Sequence, residues 1–317
     1  MVLVDKYGRP LIHLRISVTV ACNYACIYCH REGELGSKRA DELKPYEIYL
    51  IAKAASELGI RKFKLTGGEP LLRDDIVEVV NLLNGLQPLD LALTTNGYFL
   101  LEYAYKLREA GLRRVNVSIP SLKREVYREI TGVDGLEKAL KGVEAAIDAG
   151  FDPVKINYVL LRGFNENEFW DFVEYARNLG AILQVIELQP EGLGSKNYEK
   201  LHVDLSSFEK AIKEKASKVV YRRYMHNRPQ YYVDGGIVEF VRPICNPDFC
   251  MHCTRLRITA NGSIKTCLFL KPVIDLKSIL RNESYDDKVK VEKIKEAIVK
   301  ANELREPYYK ESTKSGE

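Results

Sequence analysis

The feature that most limits the fold is a unit that recurs through the middle of the chain. Four times a helical pattern stops at a glycine and a short apolar run follows; the stops are Leu58-Gly59, Ala110-Gly111, Ala149-Gly150 and Leu179-Gly180. Gly just past a helix end takes the left-handed conformation without a Cβ clash, so these read as helix C-caps. The runs that follow, 62–66, 114–119, 154–161 and 183–188, are rich in β-branched and apolar residues, and 14–19 and 91–95 are further strand candidates. Residues 46–58 carry Ile48, Ile51 and Ala55 at helical spacing, and Asn165 with Glu168 reads as a capping box before Phe169, Phe172, Val173 and Ala176. Strand–helix alternation of this kind gives a parallel sheet with helices outside it. Pattern alone suits an open doubly wound sheet as well as a closed or partial barrel.

After about residue 193 the character changes. Asp234-Gly235-Gly236 lies between apolar runs 230–233 and 237–241, and Asn261-Gly262 between 256–260 and 263–268; both are hairpin signals. Hairpins imply antiparallel pairing, so the chain is expected to divide into an α/β unit over 1–192 and a smaller antiparallel subdomain over 193–317, a division its 317 residues allow. Residues 292–304 read as a late amphipathic helix whose Ile294, Ile298 and Ala301 suit either core or a homodimer interface, and the final residues read as polar and loose. Forty-eight basic against 44 acidic residues leave a net charge of +4, which argues for no nucleic acid or other polyanion in particular. No stretch approaches the ~18 uninterrupted apolar residues of a membrane span. The opening MVLVDKYGRP lacks a signal peptide's apolar run, so a cytoplasmic location is expected.

Seven cysteines are an odd number for a disulfide set, in a compartment that disfavours disulfides. Cys22, Cys26 and Cys29 follow a predicted strand end, where a loop can fold three thiolates toward one point. Such spacing selects soft metals, chiefly zinc or an iron–sulfur cluster. A structural zinc takes four ligands, and His30 directly after Cys29 is poorly placed to be the fourth. Three buried thiols without metal are the plain alternative. Thr66-Gly67-Gly68-Glu69-Pro70 sits at a strand C-terminus, where α/β sheets place ligands and where paired glycines admit close backbone approach; a simple βα turn reads the same way.

Cys250, Cys253 and Cys267 form a second set, with the Asn-Gly turn predicted to fold Cys267 back opposite Leu256. A zinc ribbon has the same spacing. Between them, Arg255 and Arg257 alternate onto one strand face, where two guanidinium forks suit an anionic ligand and a solvated face is the bland reading. Cys245 is left over and is expected to be a bystander thiol.

The segment CNYACIYC followed by TGGEP resembles the radical S-adenosylmethionine (radical SAM) superfamily. The resemblance implies a partial (βα)6 barrel with a 4Fe–4S cluster on Cys22, Cys26 and Cys29. Its open iron would chelate the amino and carboxylate groups of SAM, and one electron would cleave SAM to a 5′-deoxyadenosyl radical. Tyr28, Gly68 and Ser118 would contact SAM, and Gln189 stands where a SAM-contacting Met is common. FCMHCTRLRITANGSIKTCLF, taken with LRISVTVACNYACIYC, resembles the GTP 3′,8-cyclases of molybdenum-cofactor biosynthesis in their archaeal form, over nearly the whole chain. That family binds a second 4Fe–4S cluster, here through Cys250, Cys253 and Cys267, with GTP at its open iron. GTP contacts carried over by position are Arg15, Lys64, Thr94, Lys155, Arg255 and Arg257. The implied catalytic residues are the first three cysteines with Arg255 and Arg257. The implied product is 3′,8-cH2GTP, made with an electron donor and passed to a cyclic pyranopterin monophosphate synthase for molybdenum or tungsten cofactor.

Several positions depart from the family pattern. Lys64 replaces an Arg, Gln189 replaces a Met, Val20-Ala21 replaces a charged pair, and Lys314-Ser315-Gly316-Glu317 stands where many members end in Gly-Gly. No G-x-x-x-x-G-K-[ST] phosphate loop is present. Two rival readings stay open. One is a radical SAM enzyme with an auxiliary cluster and another substrate, such as a peptide. The other is an RNA-binding zinc-ribbon protein using Tyr221-Arg222-Arg223-Tyr224 and the run 228–232, residues otherwise read as hairpin surface.

Overall fold

The computed structural model of the protein describes residues 2–33 and 41–308; the C-terminal Lys314-Ser315-Gly316-Glu317 lies outside the described residues. From the N-terminus, strand and helix alternate as the glycine stops predict. The run is β1 (His13–Ser17), α1 (Pro45–Glu57), β2 (Lys62–Thr66), α2 (Ile76–Asn84), β3 (Asp90–Thr95), α3 (Leu100–Glu109) and β4 (Arg114–Ser118). It continues through α4 (Arg124–Thr131), α5 (Leu136–Asp148), β5 (Val154–Leu160), α6 (Phe169–Asn178) and β6 (Ile182–Glu187). Gly59 and Gly150 close α1 and α5 with φ of 85° and 78°, the conformation only glycine takes cheaply. The capping box does not form. The Asn165 amide is taken up by its own loop, accepting from the Leu161 N–H and donating to the carbonyls of Pro120 and Val159. Glu168 instead accepts from Ser121 Oγ and the Leu122 N–H.

The remaining elements are α7 (Tyr198–Leu201), α8 (Ser206–Lys215), β7 (Lys218–Arg222), β8 (Arg228–Val233), β9 (Gly236–Val241), α9 (Pro247–Met251), β10 (Arg255–Ile258), β11 (Ser263–Lys265), β12 (Ile274–Asp275), α10 (Lys277–Leu280) and α11 (Asp287–Glu303). Both predicted hairpins exist, β8–β9 and β10–β11, and both are antiparallel. Their placement is the finding the local signals did not carry. All twelve strands form one sheet in the order β12-β11-β10-β1-β2-β3-β4-β5-β6-β9-β8-β7. β10 pairs parallel with β1, and β9 pairs parallel with β6. The C-terminal strands thus extend both edges of the parallel sheet, with antiparallel pairing confined to its margins.

Alternation along the strands separates two faces. Leu14, Ile16, Phe63, Leu65, Leu91, Leu93, Val115, Val117, Ile156, Leu183 and Val185 are buried in the main core beneath the helices. The intervening residues, including Arg15, Lys64, Thr94, Asn116, Lys155, Gln184, Arg255 and Arg257, line one cavity of about 310 Å³. A single cavity reached from β10 across to β6 requires the sheet to curl, which is the partial-barrel form. Ile294, Ile298 and Ala301 of α11 are fully buried, packed with α1, so the late apolar stripe is core and not an interface.

Candidate active site

The first cysteine loop is held by the end of β2. Val18 N–H donates to the Thr66 carbonyl (2.8 Å), Gly68 N–H to Thr19 (2.7 Å) and Glu69 N–H to Ala21 (2.7 Å). The Thr66-Gly67-Gly68 backbone therefore zips onto the segment entering Cys22. A Cβ on Gly68 would overlap the Ala21 carbonyl oxygen, reaching 2.6 Å from its carbon and 2.9 Å from the Val20 oxygen. Both obstacles are backbone, so Gly68→Ala must push the loop away; SAM affinity of the anaerobic protein is expected to fall at least about tenfold, ~1.4 kcal/mol. Unchanged affinity would show that this junction does not position a SAM site. Glu69 fastens the same loop to β3, accepting from the Leu71 N–H, Thr95 Oγ1 (2.7 Å) and the Asn96 N–H (2.7 Å). Burial pushes its carboxyl up to about 7 against those hydrogen bonds.

The thiols of Cys22, Cys26 and Cys29 are free and border the cavity. Tyr24 N–H points at Cys22 Sγ (3.4 Å) and Arg31 N–H at Cys29 Sγ (3.3 Å), donors that favour thiolate. Burial pushes Cys22 up to about 11, and raises Cys26 and Cys29 as well. Without a metal these are neutral thiols, and metal binding would release their protons.

The second set is built by a short helix and the chain's two ends. Asn246 caps α9 by accepting from the Phe249 N–H (3.0 Å), presenting the buried Cys250. Arg9 donates to the Cys250 carbonyl (3.1 Å) and Arg305 to that of Cys253, with Asp5 bridging both guanidiniums. Burial works to raise the Cys253 thiol, but Arg305 and Arg255 outweigh it and lower it; burial pushes Cys267 up to about 11. The β10–β11 register pairs Arg257 with Lys265 and ends there. Cys267 accordingly lies past the end of β11, outside the paired ladder, and not opposite Leu256 as the turn predicts. Among the described residues no three His, Cys, Asp or Glu side chains stand close enough to hold one metal ion.

A crowd of cations lines the same cavity as the two thiol sets. Arg15 and Arg257 are paired side by side in the β1–β10 register and share the buried Glu32, at 3.5 and 2.6 Å. Lys155 is clamped 2.5 Å from the buried Glu239, which Arg222 (2.9 Å) and Arg228 (3.7 Å) also approach. Lys64 and Arg255 have no carboxylate partner among the described residues, and what exposure they keep is to the cavity. Burial and neighbouring cations hold both well below their usual range: Arg15, Arg114, Arg255 and Lys155 act on Lys64, and Arg15, Arg228 and Arg257 on Arg255. The fold concentrates positive charge here beyond what its own carboxylates offset.

Every residue proposed from sequence for SAM, GTP or metal lines this one cavity: the six cysteines, Tyr28, Gly68, Ser118, Gln189, Arg15, Lys64, Thr94, Lys155, Arg255 and Arg257. Cys245 does not line it and is exposed. The hydroxyl of Thr94 and the amide oxygens of Asn116 and Gln189 are buried there without partners, as polar atoms awaiting a ligand are. Sequence reasoning missed Glu32, Glu239, His226 and Arg228. Arg228, read as hairpin surface, is 6% exposed, lines the cavity and donates to Gln184 Oε1 (3.0 Å). His226 accepts no charge: burial and Arg255 lower its imidazole well below the usual range. Its Nδ1 faces the Phe249 carbonyl (2.9 Å), which can only accept, so the unpartnered Nε2 carries the lone pair.

The curled parallel sheet and the thiol loop at the end of its first strand define a radical SAM protein. Residues 16–176 match the Radical SAM superfamily and residues 181–311 match Molybdenum Cofactor Synthesis C. Streptococcus suis SuiB bound to S-adenosylmethionine shares the fold, with a TM-score of 0.63, 14% identity and coverage of 90% of this chain and 69% of that one. A probable GTP 3′,8-cyclase of Methanothermobacter marburgensis is 45% identical over 307 residues, 96% of this chain and 98% of that protein. One of Thermococcus kodakarensis is 46% identical over 315 residues, 97% of this chain and 100% of that protein. Within the superfamily, the chain belongs to the GTP 3′,8-cyclase family.

Proposed function

We propose that this enzyme converts GTP to 3′,8-cH2GTP by radical SAM chemistry in molybdenum- or tungsten-cofactor biosynthesis. The observation that carries the reading is an excess of buried cations in the cavity that two sets of three thiols also line. A triphosphate would supply the missing negative charge, and Arg255 and Lys64 are the cations left for it. Soft thiols bordering one space fit two 4Fe–4S clusters, one on Cys22, Cys26 and Cys29, the other on Cys250, Cys253 and Cys267. With the first cluster bound, one electron passed to SAM would supply a 5′-deoxyadenosyl radical for hydrogen abstraction from the ribose of GTP. Tyr28, Gly68, Ser118 and Gln189 would hold SAM. Arg15, Lys64, Thr94, Lys155, Arg255 and Arg257 would hold GTP. Residues 1–192 would contribute the radical source and four of the GTP contacts, and 193–317 the second cluster with Arg255 and Arg257. An electron donor and a cyclic pyranopterin monophosphate synthase downstream complete the scheme.

Anaerobic incubation with SAM, GTP and dithionite should yield a cyclised guanine nucleotide by mass spectrometry. SAM cleavage with GTP left unchanged would favour a different substrate. Cys245→Ala should retain the iron content of the unsubstituted protein, and loss of iron would make Cys245 a fourth ligand. None of the helices among the described residues is long and apolar enough to cross a membrane.

A further inference from the structure

Glu32 lies three residues beyond Cys29 and is 7% exposed. Its Oε2 accepts from Arg257 Nη1 at 2.6 Å; its Oε1 accepts from Thr66 Oγ1 at 2.8 Å and lies 3.5 Å from Arg15 Nη1. The Lys265 ammonium reaches its backbone carbonyl at 3.4 Å. Four strands or strand ends therefore meet at one residue: β1 through Arg15, β2 through Thr66, β10 through Arg257 and β11 through Lys265. Burial opposes the charged form, but Arg15 and Arg257 hold its carboxyl well below the usual range, so it is ionised.

We propose that Glu32 is a positioning residue for the triphosphate: it orients the Arg15 and Arg257 guanidiniums toward the cavity and fixes their separation. The proposal rests on the reading of the cavity as a GTP site. Adjacent strands place the two arginines side by side, where like charges repel and long side chains would otherwise splay. A carboxylate between them occupies one Nη of each fork and leaves the remaining N–H groups for an incoming anion. The hydroxyl of Thr66 and the Lys265 contact keep the carboxylate from following its partners. Because Glu32 follows Cys29 on the same loop, the first thiol site and the triphosphate arginines share one structural anchor.

Charge and position are separable. Glu32→Gln keeps one acceptor oxygen, enough for Arg257, with its NH2 able to donate to the Thr66 hydroxyl oxygen, but removes the negative charge; Glu32→Ala removes both. Equilibrium binding of GTP and of guanosine to the anaerobically reconstituted full chain should rank the variants. Glu32→Ala should lose about tenfold or more in GTP affinity while guanosine changes little, and Glu32→Gln should bind GTP at least as tightly as the unsubstituted protein. Equal losses for GTP and guanosine, an unaffected Glu32→Ala, or a Glu32→Gln as weak as Glu32→Ala would each overturn the proposal. Failure of the unsubstituted protein to bind GTP would instead overturn the functional reading beneath it. Iron content and melting temperature of each variant confirm that the first thiol loop is intact.

Discussion

Arg255→Met should bind GTP about 100-fold more weakly and melt at a higher temperature than the unsubstituted protein. The two effects share a cause. Arg255 is crowded by Arg15, Arg228 and Arg257, and no carboxylate among the described residues pairs with it. Met fills similar space without that cost, and a gain of about 1 kcal/mol in a protein this size is worth roughly 2 °C. If Arg255 holds the triphosphate as proposed, the same substitution would remove charge-assisted hydrogen bonds of about 1.5–3 kcal/mol, which sets the expected affinity loss. A site selected for stability alone would show no such opposition. Thermal melting and GTP titration of one preparation read both. A variant that melts lower, or that binds GTP normally, would contradict the assignment of Arg255.

Glu239→Gln should destabilise the fold by about 3 kcal/mol or more at neutral pH, since removing one member of a buried ion network leaves the others uncompensated. Glu239 is fully buried on β9 and joins Lys155 of β5, Arg222 of β7, Arg228 of β8 and, through Nε2, Gln230. Burial works against its charge, but Lys155, Arg228 and Arg222 hold its carboxyl to about 2, below the ordinary 4.5. The folded state binds its proton less readily than the unfolded chain. Stability from this group is therefore complete above about pH 4.5 and is lost as pH falls toward 2. Chemical denaturation across that window should show the gap between the two proteins closing with acidification. A gap that is absent at pH 7, or that widens in acid, would remove Glu239 from this role. The same network holds Lys155, pushed down to about 7 chiefly by burial, at a fixed point on the cavity wall.

Much of the scaffold was legible because its signals are local. The Gly59 and Gly150 stops, the apolar runs they precede and the Asp234-Gly235 and Asn261-Gly262 turns each depend on a few neighbouring residues, and each appears where its pattern lies. What depends on distant partners was not legible. A hairpin signal says that β10 pairs with β11, but not that β10 then docks parallel on β1. Asn165 was misread because its amide is consumed by carbonyls that only the folded loop brings near. The site divides the same way. The cysteines and Arg255 with Arg257 announce themselves by spacing, whereas Glu32 is one acid among several in a charged stretch, and its meaning appears only when Arg15, Thr66 and Arg257 converge on it. Glu239 and Arg228 sit in strand patterns that read equally as a solvated edge.

In the proposed function, GTP is the molecule whose presence triggers radical chemistry in this cavity. The most direct test is 5′-deoxyadenosine formation by the anaerobically reconstituted protein with SAM and dithionite, measured with and without GTP. Formation should depend on GTP and be accompanied by its cyclisation. Equal 5′-deoxyadenosine with GTP omitted, and GTP recovered intact, would contradict it.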